Sequence, residues 1–154
     1  MKIKTDPYPL LHKPCKRVTQ FDNSLRHLAE KMSEMVAEAD GVGLAANQIG
    51  VNQRVCMVFM NKYAFTLVNP TAIYFPEEHE VEEGCLSLPG RKFLVKRPKK
   101  LIVHFQTLEG TKLTIVPEDP YLVQVLCHEL DHTNGVLICD HGIEVIHDEQ
   151  GILK

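Results

Sequence analysis

A chain of 154 residues, 44% hydrophobic and 24% charged, has the material for one globular domain, expected over 1–154, with a sizeable core. A net charge of −3 and a pI near 6.2 exclude a bulk-electrostatic binder of DNA or RNA. Cys15, Cys56, Cys85, Cys127 and Cys139 show no regular framework, and there is neither an apolar run of about 18 residues nor a charged-then-apolar leader, so a reducing, cytoplasmic setting away from membranes is expected.

From Asp22 or Asn23 to Asp40, Leu25, Leu28, Ala29, Met32, Met35, Val36 and Ala39 recur at helical intervals, and Gly41 follows. That pattern predicts one amphipathic N-terminal helix. Runs rich in β-formers come next: Arg54 to Met60, Ala64 to Val68, Ala72 to Phe75, Val81 to Glu83, Lys92 to Val95, Leu101 to Gln106 and Lys112 to Val116. Asn69-Pro70 and Glu109-Gly110 read as turns between them. Leu101, Val103 and Phe105 alternate with Ile102, His104 and Gln106, which predicts an antiparallel pair closed at Glu109-Gly110. Arg91-Lys92, Lys96-Arg97 and Lys99-Lys100 form a basic stretch without matching acids, read as a solvated edge that discourages strand aggregation.

Near the C-terminus, Asp119 is a suitable N-cap and Pro120 a suitable first helical residue. No Gly or Pro interrupts Tyr121 to His132, and Asn134-Gly135 is a stop signal, so a helix is predicted over 120–133. Leu122, Val123, Val125, Leu126, Cys127 and Leu130 surround it with apolar surface, the pattern of a buried helix. The segment 141–146 reads as strand or coil, and there is no internal repeat. The predicted class is α+β: antiparallel β-sheets packed around a buried metal-binding helix, with an amphipathic N-terminal helix.

His128-Glu129-Leu130-Asp131-His132 on that helix puts two imidazoles one turn apart on one face with a carboxylate beside them. Two neutral imidazoles can each give a lone pair to one divalent cation, while Glu129, not needed as a ligand, can handle the protons of a metal-bound water. Hydrogen-bonded core histidines are the plainer alternative. A metal site also needs a third ligand. A metzincin-type protease would supply a histidine at 138, where Ile138 stands, and a thermolysin-like one a glutamate on a following helix, whereas Glu144 lies in a short tail. Cys85, in Glu82-Glu83-Gly84-Cys85-Leu86-Ser87-Leu88-Pro89-Gly90, can present its sulfur from an extended strand. Cys139-Asp140-His141 is thin evidence for a second metal site, and Cys127 reads as packing.

Three segments, Gly41 to Gln48 (GVGLAANQ), Glu83 to Ser87 (EGCLS) and His128 to His132 (HELDH), resemble in order and spacing the signature motifs of the peptide deformylases. The resemblance implies a metal-dependent hydrolase that removes the formyl group from the N-terminal formylmethionine of nascent peptides. It implies Cys85, His128 and His132 as ligands of one divalent metal, with Fe(II) expected and Zn(II), Ni(II) or Co(II) as substitutes. Glu129 would be the general acid and base, and Gln48 with the backbone N–H of Leu86 would hold the oxyanion. Gly43 is the candidate for a main-chain contact to an extended peptide, and Val42, Val81, Gln124 and Val125 are the candidate walls of a methionine pocket, where Gln124 departs from the usual apolar residue. A transient ribosome contact through the basic stretch is conceivable, and the tail His147–Lys154 is too short and mixed to be given a docking role. A metalloprotease and a non-catalytic domain with a structural zinc, which would require a fourth protein ligand, are the competing readings.

Overall fold

The computed structural model describes residues 1–61 and 63–146. The tail 147–154 lies outside the described residues.

Helix α1 (Asn23–Glu38) starts where the Asp22 carboxylate accepts the N–H groups of Ser24 and Leu25 at 3.0 and 3.3 Å. It ends two residues before the expected Asp40, whose φ of 51° turns the chain out of the helix, and Gly41 N–H closes the last turn on Val36 O at 2.9 Å. Its buried stripe is Leu25, Leu28, Ala29, Met32 and Val36.

The strands are β1 (Gly43–Ala45), β2 (Val55–Met60), β3 (Tyr63–Tyr74), β4 (Glu78–Cys85), β5 (Leu88–Pro98), β6 (Leu101–Gln106), β7 (Lys112–Ile115) and β8 (Ile143–Val145). They form an antiparallel five-stranded sheet, β1-β2-β3-β6-β7, and a three-stranded one, β4-β5-β8. Val55 to Val58 in β2 are buried on both sides, because α1 covers Val55 and Met57 while helix α2 (Pro120–Thr133) covers Cys56 and Val58. That sandwiching explains why this strand reads as an unbroken apolar run. On the α2 side, Val123, Leu126, Cys127 and Leu130 pack on Cys56, Val58, Leu67, Leu101 and Val103. The buried Cys127 is therefore packing, as its position on the helix implied. The predicted β6–β7 pair is present in antiparallel register, with Phe105 opposite Leu113.

Two expectations fail. Asn69-Pro70 does not separate two strands: β3 runs through it as a bulge between Val68 and Thr71, and Asn69 takes φ 52° while its amide bonds both N–H and C=O of Val18, at 2.8 and 2.9 Å. The basic stretch is not an unmatched solvated edge either, since β5 is the central strand of its sheet. Arg91 pairs with Glu144 at 2.8 Å and Lys99 with Glu77 at 2.7 Å, while Arg97 is buried against Glu83. Sequence neighbours hid these pairs because every partner lies on another strand or beyond a turn. Helix α3 (Ile138–His141) and β8 then close the described chain against β5.

Candidate metal centre and active site

Helix α2 folds as its caps dictate, with the Asp119 carboxylate accepting from Tyr121 N–H at 2.7 Å. Its one-turn spacing brings His128 Nε2 and His132 Nε2 to 3.1 Å, with the rings edge to face at 67°. Cys85 sits at the end of β4, where the chain reverses through Leu86-Ser87 into β5, and its Sγ lies 3.3 Å from His132 Nε2. Cys85, His128 and His132 are the one cluster among the described residues able to hold a metal, with all donor atoms within 4.8 Å of one another. Cys139, Asp140 and His141 form no such group among those residues.

The donors fit a divalent cation. In a tetrahedral zinc-type site, bond lengths of about 2.3 Å to sulfur and about 2.0 Å to nitrogen set S···N near ~3.5 Å and N···N near ~3.3 Å, close to the spacings found here. The surroundings also favour positive charge at this point. Burial works against a charged His128, yet contacts with Cys85 and Glu83 and the nearby Glu129 charge outweigh it and raise its pKa to about 10. His132, held well below its usual value by burial and by the adjacent His128, keeps a free lone pair.

Residues to which the sequence reading gave no role orient these ligands. Glu83 Oε2 accepts from His128 Nδ1 at 2.9 Å, and Arg97 grips Glu83 with two bonds, at 2.8 and 2.9 Å, while reaching Asp131 at 2.6 Å. Burial alone would raise the Glu83 pKa, but the Arg97 and His128 bonds bring it down to about 2. Asn47 Nδ2 donates to the His132 carbonyl at 2.6 Å, tying the segment before Gln48 to α2. The available signal was the segment itself: Glu83 opens the Glu83–Ser87 run and lies on the same strand as Cys85, two residues before it.

Glu129, 3% exposed, points instead toward β1, and Oε2 of its carboxylate has no hydrogen-bond partner. Burial, partly countered by the charge on His128, lifts its pKa to about 7, where a carboxylate can both take and return a proton. Gly43 exists as glycine for Glu129: a Cβ there would collide with Oε1 and stand 2.8 Å from Cδ. Gly43→Ala is expected to displace the Glu129 carboxylate and lower turnover by at least about tenfold while Cys85, His128 and His132 keep their metal, which parallel rate and metal-content measurements would check. Gln48 is 2% exposed. Its Oε1 accepts from Ala45 N–H at 2.9 Å and its Nε2 faces Ser87 Oγ at 3.1 Å and Cys85 Sγ at 3.7 Å.

One cleft gathers Val42, Gly43, Gln48, Cys85, Leu86, Gln124, Val125, His128 and Glu129. β1 and β4 are edge strands of their sheets, and Gly43 and Cys85 on the cleft wall belong to them. Val42 is on the rim at 40% exposure, and Gln124 makes one long bond, 3.5 Å, to the Glu82 carbonyl. Val81 does not line the cleft. It lies on β4 and packs into the cluster of Leu88, Phe93, Val95 and Ile138, and Glu82, Glu83 and Gly84 occupy the wall instead.

The polypeptide deformylase family model matches residues 1–147. A peptide deformylase of Thermoanaerobacter pseudethanolicus is 41% identical over 141 residues, 92% of this chain and 88% of that one. One of Finegoldia magna is 34% identical over 151 residues, covering 96% and 93%. Among solved structures, the peptide deformylase of Thermotoga maritima superposes with a TM-score of 0.87 at 38% identity, covering 91% of this chain and 95% of that one. That of Legionella pneumophila gives 0.86 at 39%, covering 91% and 84%.

Proposed function

This chain belongs to the polypeptide deformylase family of metal-dependent hydrolases, and from that membership we propose that it removes the formyl group from the N-terminal formylmethionine of newly made polypeptides. The observation that carries the reading is the convergence, at one cleft lined by Cys85 and His128, of a three-donor metal set, an unpartnered buried carboxylate and a buried side-chain amide beside an edge strand.

Cys85, His128 and His132 would hold one divalent ion, Fe(II) in our reading with Zn(II), Ni(II) or Co(II) as substitutes, and such an ion supplies Lewis acidity and a water acidic enough to react near neutral pH. Glu129 takes the proton of the attacking water and returns it to the departing amine, a round trip that its near-neutral pKa permits. As the formyl carbon becomes tetrahedral its oxygen gains negative charge, and Gln48 Nε2 with the Leu86 main-chain N–H are the donors on the cleft wall that meet it. The peptide lies extended along β1, with Gly43 offering main-chain groups and leaving room for Glu129. Its first side chain packs toward Val42, Leu86, Val125 and the stem of Gln124.

Neither competing reading gains support. A structural zinc site is closed by four protein donors, and among the described residues no fourth His, Cys, Asp or Glu joins the three. Glu144, the candidate ligand of a thermolysin-like site, is held by Arg91 instead.

The test is release of formate from a formyl-Met peptide by anaerobically purified protein. Steady turnover by protein carrying one metal per chain is expected; no release from protein that still holds its ion would overturn the reading.

A further inference from the structure

The roles above leave Ser87 without a task, although it is completely buried (0% exposed) at the turn that follows Cys85. Its hydroxyl oxygen accepts a hydrogen bond from Gln48 Nε2 at 3.1 Å. A glutamine amide has two chemically opposite ends, and only the NH2 end can stabilise a developing negative charge. The Ala45 N–H can only donate, so Gln48 Oε1, 2.9 Å away, belongs on that side and the NH2 group on the other. Nε2 carries two hydrogens. Ser87 Oγ accepts one, and the second makes only a long contact with Cys85 Sγ, 3.7 Å from Nε2, so it is the hydrogen left to meet a substrate oxygen beside the metal cluster.

We propose that Ser87 is a positioning residue: its hydroxyl locks the Gln48 amide so that one N–H projects at the point where the formyl oxygen becomes negative. The assignment rests on the reading of Gln48 given above and adds the group that orients it. The backbones of both residues are pinned independently of this contact. Lys4 N–H donates to the Gln48 carbonyl at 2.7 Å and Asp6 N–H to the Ser87 carbonyl at 2.9 Å, so one short N-terminal segment splints the two loops. Removal of the Ser87 hydroxyl therefore leaves the loop in place and takes away the bond that fixes the NH2 end, so that the amide, held at Oε1 by Ala45 N–H, swings about that remaining bond and spends part of its time with no N–H aimed at the substrate.

The test is a double-mutant cycle on the metal-loaded protein, with S87A, Q48A and the double variant assayed for formate release and for metal content. Q48A is expected to lower kcat about 10²-fold, and S87A about tenfold with KM changed less than about twofold, because the lost interaction is made in the transition state. The double variant should be no slower than Q48A, since Ser87 acts only through Gln48. Independently of turnover, the side-chain amide protons of Gln48, followed by nitrogen-15 NMR, should exchange with solvent slowly in the parent protein and much faster in S87A. An S87A enzyme within about twofold of the parent kcat would overturn the proposal, as would equal losses from S87A with and without Gln48. If the parent protein itself releases no formate, the functional reading fails, and the exchange comparison still decides whether Ser87 holds Gln48.

Discussion

Glu129→Gln is expected to lower formate release by about 10²–10⁴-fold while the protein keeps its full complement of metal. The substitution preserves the size of the side chain above Gly43 but removes the group that accepts and returns a proton, and Glu129 is not among the three clustered donors. Metal content separates this outcome from a loss of the centre: a variant that is slow because it has lost its ion would contradict the assignment. A pH profile makes the case sharper. Burial holds the Glu129 pKa up at about 7, and a general base works only when deprotonated, so kcat/KM of the parent should climb as pH rises through that region. In Glu129→Gln that rising limb should disappear, leaving a low and flatter rate. A variant that keeps the limb unchanged would show that another ionisation, such as that of a metal-bound water, sets it.

Arg97→Met should cost about 3–5 kcal/mol of folding stability, read by chemical denaturation at neutral pH. The Arg97 and Glu83 side chains are 5% and 4% exposed, so removing the guanidinium leaves a buried carboxylate with only the His128 ring against it, and Asp131 loses a 2.6 Å partner. Acid should shrink the difference. With its pKa lowered from 4.5 to about 2, Glu83 contributes ~3 kcal/mol that is fully present above 4.5 and lost as pH falls from there toward 2. In the variant only His128 still holds the carboxyl down, so the share of the acid sensitivity that Arg97 supplies goes. Equal destabilisation at pH 7 and pH 3 would show that Arg97 supports the fold by packing alone. His128 should feel the change too, because the Glu83 oxygen that accepts from its ring is one of those Arg97 holds.

Local signals made much of this molecule readable from its residues. α1 and α2 follow from caps and periodicity that lie within each segment, and the His128/His132 pair follows from helical spacing alone. Cys85 joins them because a glycine-flanked cysteine at a strand end can face a helix. What escaped depends on partners remote in sequence. Asn69 and Pro70 have turn chemistry, yet the amide bonds to Val18 hold them as a bulge inside one strand. Arg97 looked like one more surface cation in a basic stretch until β4 and α2 brought Glu83 and Asp131 to it. Val81 was placed on the cleft by nearness to Cys85, but a strand carries a side chain roughly 7 Å every two residues, enough to move it from wall to core. Ser87 closes the Glu83–Ser87 segment that carries the resemblance, but a serine between two leucines has no readable task until Gln48 is seen beside it.

The bonds from Lys4 and Asp6 also set an order of assembly. As the polypeptide is synthesised, the amides of this segment are made first, but their acceptors, the carbonyls of Gln48 and Ser87, follow only with the later loops, and the two histidines later again. The centre is complete only when α2 arrives, and an interrupted translation product ending before α2 has every oxyanion donor we assign but no place for the metal.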